Sequence, residues 1–316
     1  MAPASGEFDM EALRIWLFGR VRVAHGEGSP EIRFTRSTQT LLAFLLLHPQ
    51  RYHPREVLAE LAWGDRPDEQ ARGALNTALW RLRNLLEPDG TTRGAYLRTT
   101  PSGEVGFNWD SDHWLDLTAF EKCASCILAI PTDGMQAQHA RQLEAVLPLY
   151  DGELLEGFYE DWAITERERL RDLHLSCLTR LMRYHHQQRN IDRSQRHAQE
   201  ILRLDPLREE IHRAAMRLFA ENGERALALR QFEWCRQVLS AEMGIAPMPE
   251  TEALYQQILA NTAAPLPPPP AHPETVTLAQ ALRQLHSARQ ELAQAQDRLA
   301  VAIEFIQHLA APEPDT

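Results

Sequence analysis

The sequence predicts a mainly helical protein with a small α+β unit at its N-terminal end: a short sheet, three helices and a hairpin, then a helical repeat, then one long helix. Three observations predict it. Apolar and polar residues alternate around residues 13–23 before any helical pattern begins, which is strand spacing. From residue 116 onward, apolar residues recur at helical spacing in seven segments separated by Gly, Asn, Asp or Pro breaks. Beyond Pro265-Leu266-Pro267-Pro268-Pro269-Pro270, the residues Leu278, Leu282, Leu285, Leu292, Leu299, Ile303 and Ile306 fall on a 4-3 alternation, the spacing of a coiled-coil seam.

Taken in order, residues 1–11 read as a disordered leader. The cluster Gly26-Glu27-Gly28-Ser29-Pro30 is a turn, and residues 31–34 return as a strand. Thr35 or Ser37 can cap a first helix that runs to about Leu47 and stops before Pro49. A second helix begins near Pro54, whose fixed φ suits a first turn, and ends at Trp63-Gly64. Asp65-Arg66-Pro67-Asp68 is a loop with capping side chains for the third helix, which Pro88-Asp89-Gly90 ends. Residues 96–100 and 105–109 read as two strands around Pro101-Ser102-Gly103. A sheet, three helices and a hairpin in that order is the plan of a winged helix. In it the third helix enters the major groove and the hairpin rests on backbone or minor groove.

On the third helix Leu75, Leu79, Leu82 and Leu86 make one apolar face. Thr77, Trp80, Arg81 and Asn84 lie opposite, with no carboxylate among them. Such hydroxyl, amide and guanidinium groups reach base edges and phosphates. Asn76 and Arg83 flank this face, Arg72 opens the helix, and Arg98 and Thr99 sit on the hairpin; all are candidates for DNA contact. Taken alone the helix is equally an amphipath with a solvated face. Its place as third helix favours the DNA reading. Trp80 has a second reading, packing against the hairpin or a neighbouring protomer.

The helical segments span residues 117–130, 135–150, 164–188, 191–204, 207–220, 224–243 and 249–259. The last five pair into hairpins with a repeat of roughly 34 to 40 residues, which suits tetratricopeptide-like stacking; an unrelated bundle is the alternative. The expected division is therefore a winged helix over 12–112, a helical-repeat domain over 113–262, a stiff proline-rich linker over 263–274 and a coiled-coil helix over 275–310. The coil either pairs with another copy or packs back on the helical domain.

Composition excludes several classes. No run of eighteen apolar residues exists, and the N-terminus has the pattern of no signal peptide, so the chain is expected in the cytoplasm. Four cysteines in 316 residues make no disulfide framework. Cys123 and Cys126 form a Cys-x-x-Cys with no second pair or nearby His to complete a zinc set, and Cys177 and Cys235 read as core positions. No H-E-x-x-H, G-x-S-x-G or phosphate-cradling glycine loop occurs, so no enzyme, no metal and no cofactor is expected. The adjacent His185-His186 read as an exposed helix end. The net charge of −11 is unevenly spread, and Lys122 is the only lysine, so a phosphate or guanine contact here is an arginine contact.

These residues resemble the Streptomyces antibiotic regulatory protein family, whose members join an OmpR-like winged helix to a bacterial transcriptional activator domain of tetratricopeptide-like fold. The resemblance rests on residues 13–19, on Leu41-Leu42-Ala43-Phe44-Leu45-Leu46-Leu47-His48-Pro49 and on Val57-Leu58-Ala59-Glu60-Leu61-Ala62-Trp63. It continues through Ala74-Leu75-Asn76-Thr77-Ala78-Leu79-Trp80-Arg81-Leu82-Arg83, Trp114-Leu115-Asp116-Leu117-Thr118-Ala119-Phe120-Glu121, Tyr150-Asp151-Gly152-Glu153-Leu154-Leu155 and Glu242-Met243-Gly244-Ile245-Ala246-Pro247. Gly106-Phe107 stands where the family's wing usually has Gly-Tyr, and the tail from Thr275 is outside the family core.

The resemblance implies a transcriptional activator that binds double-stranded promoter DNA at repeated half-sites as a homo-oligomer. It also implies contact with RNA polymerase through the loop holding Trp63, Asp65, Arg66 and Asp68. Two other readings stand beside it. One is a regulator sensing an anionic effector or nucleotide through Arg193, Arg196, Arg203, Arg208 and Arg213. The other is a helical scaffold or adaptor whose winged helix binds protein.

Overall fold

In the computed structural model, which describes residues 12–26, 29–87 and 92–260, the chain starts with an antiparallel pair. Strand β1 (Leu13–Trp16) lies against β2 (Arg22–His25) with Leu13 opposite His25 and Trp16 opposite Arg22. Alternation puts Leu13, Ile15 and Val23 into the core. Residues 31–34, expected as a strand, run extended without forming one. Ile32 N–H donates to Val23 O at 2.7 Å, but Pro30 offers no donor and Glu31 and Arg33 are exposed, so no ladder develops.

Three helices follow: α1 (Arg36–Leu47), α2 (Arg55–Trp63) and α3 (Asp68–Leu86). Each begins after Thr35, Pro54 or Pro67 without a side-chain cap on its first N–H groups, so the expected capping by Thr35, Ser37 or Asp65 is absent. Packing holds these helices instead, through fully buried Leu41, Leu42, Leu45, Leu58, Leu75, Leu79 and Leu82. The hairpin is β3 (Leu97–Thr99) against β4 (Val105–Phe107); β3 is one residue shorter at each end than the alternation suggested, and β4 starts where expected but stops two residues early. Gly106 is required: a Cβ there would lie 2.8 Å from Arg51 O and 2.9 Å from the Tyr52 ring. Phe107 is 3% exposed, ringed by Tyr96, Trp109 and His113. The departure from Gly-Tyr is thus absorbed in the core.

The sheet has a third strand that periodicity did not reveal. Strand β5 (His113–Leu115) pairs parallel with β1, giving the order β2-β1-β5. It lies beyond the boundary read at 112/113 and runs directly into α4 (Asp116–Leu128). The remaining helices are α5 (Ala137–Val146), α6 (Asp161–Gln187), α7 (Ile191–Leu204), α8 (Glu209–Glu221), α9 (Arg225–Met243) and α10 (Pro249–Ala260). The leader, the stop at residues 88–90, the proline-rich linker and the coil residues Leu278, Leu282, Leu285, Leu292, Leu299, Ile303 and Ile306 lie outside the described residues.

The N-terminal sheet and the helices are joined by buried polar contacts. Asp116 is fully buried, and its carboxylate accepts from Leu17 N (2.9 Å), Phe18 N (3.0 Å) and Leu117 N (2.6 Å). Nearby, Leu155 N–H donates to Leu17 O, Gly19 N–H to Glu153 O and Glu156 N–H to Gly19 O, all within 2.8–2.9 Å. The two backbones meet closely because Gly152 stands at φ +141, where a Cβ would fall 3.1 Å from Gly19 Cα. Arg36 adds a guanidinium 3.6 Å from the Phe158 ring centre and 3.4 Å from Glu160. Phe18, Phe120, Tyr150 and His174 pack ring against ring across the junction. The described residues through Ile258 consequently form one compact unit, with one core running from the sheet into α6 and a second among α6 to α10.

His174 makes the stability of this junction depend on pH. It is 7% exposed and stacks on Tyr150 at 4.3 Å. Burial lowers its pKa from 6.5 to about 4, with Glu200 opposing and Arg203 assisting. The unfolded chain takes up this proton before the folded one does, so stability falls as pH drops from about 6.5 toward 4. His174→Phe keeps the stacking and removes the titration. At pH 5 the variant is expected to retain about 2 kcal/mol that the parent loses relative to pH 7.5. Urea unfolding of both proteins at the two pH values checks this; equal losses would refute it.

Candidate nucleic-acid interface

Helix α3 splits its surface as its spacing predicts. Ala71, Leu75, Ala78, Leu79, Leu82 and Leu86 are buried, and Arg72, Gly73, Asn76, Thr77, Trp80, Arg81 and Asn84 are exposed on the other side. Trp80 is 62% exposed, so it packs against neither the hairpin nor the core. Among the described residues Arg81 and Asn84 make no ion pair or hydrogen bond, which leaves their donors available. Thr77 donates its hydroxyl to Gly73 O at 3.1 Å and keeps acceptor capacity outward.

Three side chains hold the hairpin against this helix. Glu87, just past the end of α3, accepts from the N–H groups of Gly94, Tyr96 and Leu97, each at 3.0 Å. Arg83, half-buried, donates to Thr99 Oγ1 at 2.6 Å. Arg55, in the first turn of α2, donates to Asn76 Oδ1 at 2.9 Å and to Gly103 O at 3.3 Å. His53 and Val105 exchange backbone hydrogen bonds at 2.9 Å and fix the strand behind. The wing is therefore pre-set relative to α3.

Between them lies an open cavity of about 750 Å³ lined by Arg55, Arg83, Arg93 and Arg98 together with Tyr52, Thr99 and Thr100, and by no carboxylate. The arginines crowd one another. Burial lowers the Arg83 pKa, Glu87 opposes this, and Arg93 and Arg55 lower it further. A phosphate between them would relieve that repulsion, and guanidinium forks suit its geometry. Two expected phosphate contacts carry carboxylate partners in this state: Arg98 meets Asp110 at 2.8 Å and Arg72 meets Glu56 at 3.7 Å, both pairs solvent-exposed. Exposed pairs of this kind are weak and exchangeable.

Arg55, Arg93 and Tyr52 were not singled out from the sequence. The available signal was the acid-free run Thr92-Arg93-Gly94 beside the hairpin; for Arg55 the sequence offers none, because only folding brings α2 to the wing. In the loop between α2 and α3, Asp65, Arg66 and Asp68 are exposed, whereas Trp63 is 7% exposed and belongs to the core. Trp63 is thus corrected from a surface contact to a packing residue: it closes the last turn of α2 over the apolar side of the domain.

The arginines considered for an anionic effector are mostly neutralised. Arg193 pairs with Glu144 (3.2 Å), Arg203 with Glu200 (2.7 Å), Arg208 with Asp205 (2.9 Å) and Arg213 with Glu209 (3.4 Å). His185 also differs from expectation. It is 4% exposed, because the next helix folds over the end of α6, and its Nε2 meets Glu144 Oε1 at 2.9 Å. His186 is partly exposed, as adjacent residues on a helix must diverge. Cys177 and Cys235 are buried as expected. Among the described residues no helix is long and apolar enough to cross a membrane.

Comparison with known proteins agrees with this architecture. Residues 28–103 match the family described as transcriptional regulatory protein, C terminal, and residues 115–259 match the bacterial transcriptional activator domain. The chain is 32% identical to the regulatory protein AfsR of Streptomyces coelicolor over 271 residues, 81% of this chain and 25% of that protein. It is 30% identical to AfsR of Streptomyces griseus over 265 residues, with 79% and 25% covered. It thus spans about a quarter of the length of these relatives. It is also 23% identical to the transcriptional regulatory protein MoaR1 of Mycobacterium tuberculosis over 71% of this chain and 72% of that one. A solved structure of Mycobacterium tuberculosis EmbR, in complex with a low-affinity phosphopeptide, shares the fold with a TM-score of 0.65 at 19% identity, covering 79% of this chain and 66% of EmbR. Holding an OmpR-like winged helix followed by a bacterial transcriptional activator domain, the chain belongs to the Streptomyces antibiotic regulatory protein family of transcriptional regulators.

Proposed function

We propose that the chain is a sequence-specific activator that binds double-stranded promoter DNA, with Thr77, Trp80, Arg81 and Asn84 reading base edges. Arg72, Asn76, Arg83, Arg98 and Thr99 hold the backbone, joined by Arg55 and Arg93. The observation that carries this reading is the carboxylate-free face of Thr77, Trp80, Arg81 and Asn84 on α3 together with the four-arginine cavity beneath the wing, whose lining has no carboxylate either. It stands out in a chain of net charge −11, since only a concentrated patch can attract a polyanion here.

The exposed loop residues Asp65, Arg66 and Asp68 are proposed to meet RNA polymerase. Self-association through Leu278, Leu282, Leu285, Leu292, Leu299, Ile303 and Ile306 would place two recognition helices on half-sites about one helical turn apart. Selection from a random double-stranded DNA pool tests the central claim. One enriched motif is expected, with affinity falling linearly in log salt. Equal retention of all sequences at moderate salt would overturn specific readout, and absence of salt-dependent binding would favour a protein-binding adaptor.

A further inference from the structure

Helices α5, α6 and α7 bring three metal-ligating side chains together where the DNA-reading surface plays no part. Glu144, His185 and His197 each present a ligand atom, and these atoms lie within 4.8 Å of one another. His185 Nε2 already touches Glu144 Oε1 at 2.9 Å. The His185 and His197 rings stack with centroids 5.5 Å apart and planes 13° from parallel. His185 is 4% exposed, while Glu144 and His197 are half-buried at the mouth of an open cavity of about 330 Å³ that Arg193 and Arg196 complete.

We infer that Glu144, His185 and His197 bind one divalent transition-metal ion of the zinc type, tying α5 to the α6–α7 hairpin. Two imidazoles and one carboxylate are a donor set for such ions, and three protein ligands leave positions that water fills from the open cavity. Bonds of about 2.0–2.2 Å place neighbouring ligand atoms roughly 3–3.5 Å apart, so from a spread of up to 4.8 Å His197 closes by up to about 1–2 Å, its ring turning out of the stack on His185. It is free to do so: among the described residues it makes no hydrogen bond.

Burial and the neighbouring His185 hold the His197 pKa down, with Glu144 opposing and Arg196 and Arg193 assisting. Metal would take the place of the direct contact between His185 Nε2 and Glu144 Oε1. It also releases Arg193, which is half exposed and 3.2 Å from the same carboxylate oxygen. No spacing motif announces this set, since the three ligands come from three helices and Glu144 and His185 are 41 residues apart.

The test is equilibrium dialysis and calorimetric titration of the full chain, first stripped with chelator, using Zn²⁺ alone and then Co²⁺ as a spectroscopic probe. One ion per chain is expected, with a raised thermal midpoint and a cobalt spectrum of nitrogen and oxygen ligation lacking a thiolate charge-transfer band. His197→Gln and Glu144→Gln should each weaken binding at least roughly tenfold, since even outer-shell partners are worth 10–100-fold. Cys123→Ser with Cys126→Ser should leave it unchanged. The two ligand variants are scored separately, each after circular dichroism shows a folded helical domain, so that one suffices if the other fails to fold. No binding at micromolar zinc, unchanged affinity in the folded ligand variants, or loss in the cysteine variant would overturn the assignment. None of these readouts involves DNA, so they stand or fall apart from the promoter-binding reading.

Discussion

Asp116→Ala is expected to destabilise the protein by roughly 3–5 kcal/mol, the largest single-residue effect outside the apolar core. Each buried donor left without a partner costs on the order of 1–3 kcal/mol, and this carboxylate serves three: Leu17, Phe18 and Leu117 N–H. Leu17 and Phe18 lie 99 and 98 residues away in sequence, so the bonds join the end of β1 to the start of α4. Burial raises the Asp116 pKa to about 6, with the three N–H donors and Arg22 pulling it back, and the group is ionised at pH 7. Asp116→Asn keeps one acceptor but brings an amide that needs a partner of its own, and it should fall between parent and alanine variant. Thermal unfolding checks the order, with a shift of roughly 10 °C for alanine, at about 2–4 °C per kcal/mol for a unit of this size. A shift within a degree or two of the parent would mean that water replaces the carboxylate without cost.

Arg81→Ala carries the second large effect, on DNA rather than on stability. Arg81 is exposed and unpaired among the described residues, so its removal should change folding by no more than about 0.5 kcal/mol. Against the selected DNA motif it should cost about 1–3 kcal/mol, on the order of 10-fold or more in affinity, and relax preference at one base pair, since guanine reading by a guanidinium fork is worth that much. Arg98→Ala is the contrast. Arg98 sits on the wing and pairs with Asp110, so its loss should weaken all sequences alike and lower the salt slope by about one. Binding to the motif and to a scrambled duplex at several salt concentrations separates the two variants. Uniform weakening by Arg81→Ala would move it to the backbone-contacting set.

Local pattern carried most of the helices. Residues 191–204 read as a helix and form α7 over Ile191–Leu204, where Asn190 caps Arg193 N–H. The Leu75, Leu79, Leu82, Leu86 repeat marked the buried face of α3, since helical spacing translates directly into one side of a cylinder. Short strands were less legible: β3 and β4 are three residues each, too few for alternation to set their ends, and β5 has no alternation to show. Its pairing with β1 joins Leu13 to His113, a contact across three intervening helices that no local pattern records.

What the sequence by itself determined is the series of helices, the apolar face of each and the carboxylate-free set Thr77, Trp80, Arg81 and Asn84 opposite that face on the third. Those properties depend on neighbours within a few turns. Tertiary structure alone decided which side chains meet: Arg55 with Asn76, Glu87 with the wing, Asp116 with β1, and Glu144 with His185 beside His197. Such meetings arise because core burial sets where each helix docks, and the polar groups carried along must then find partners or lose free energy. Periodicity records the burial of one element at a time, whereas docking depends on the packing of all of them together.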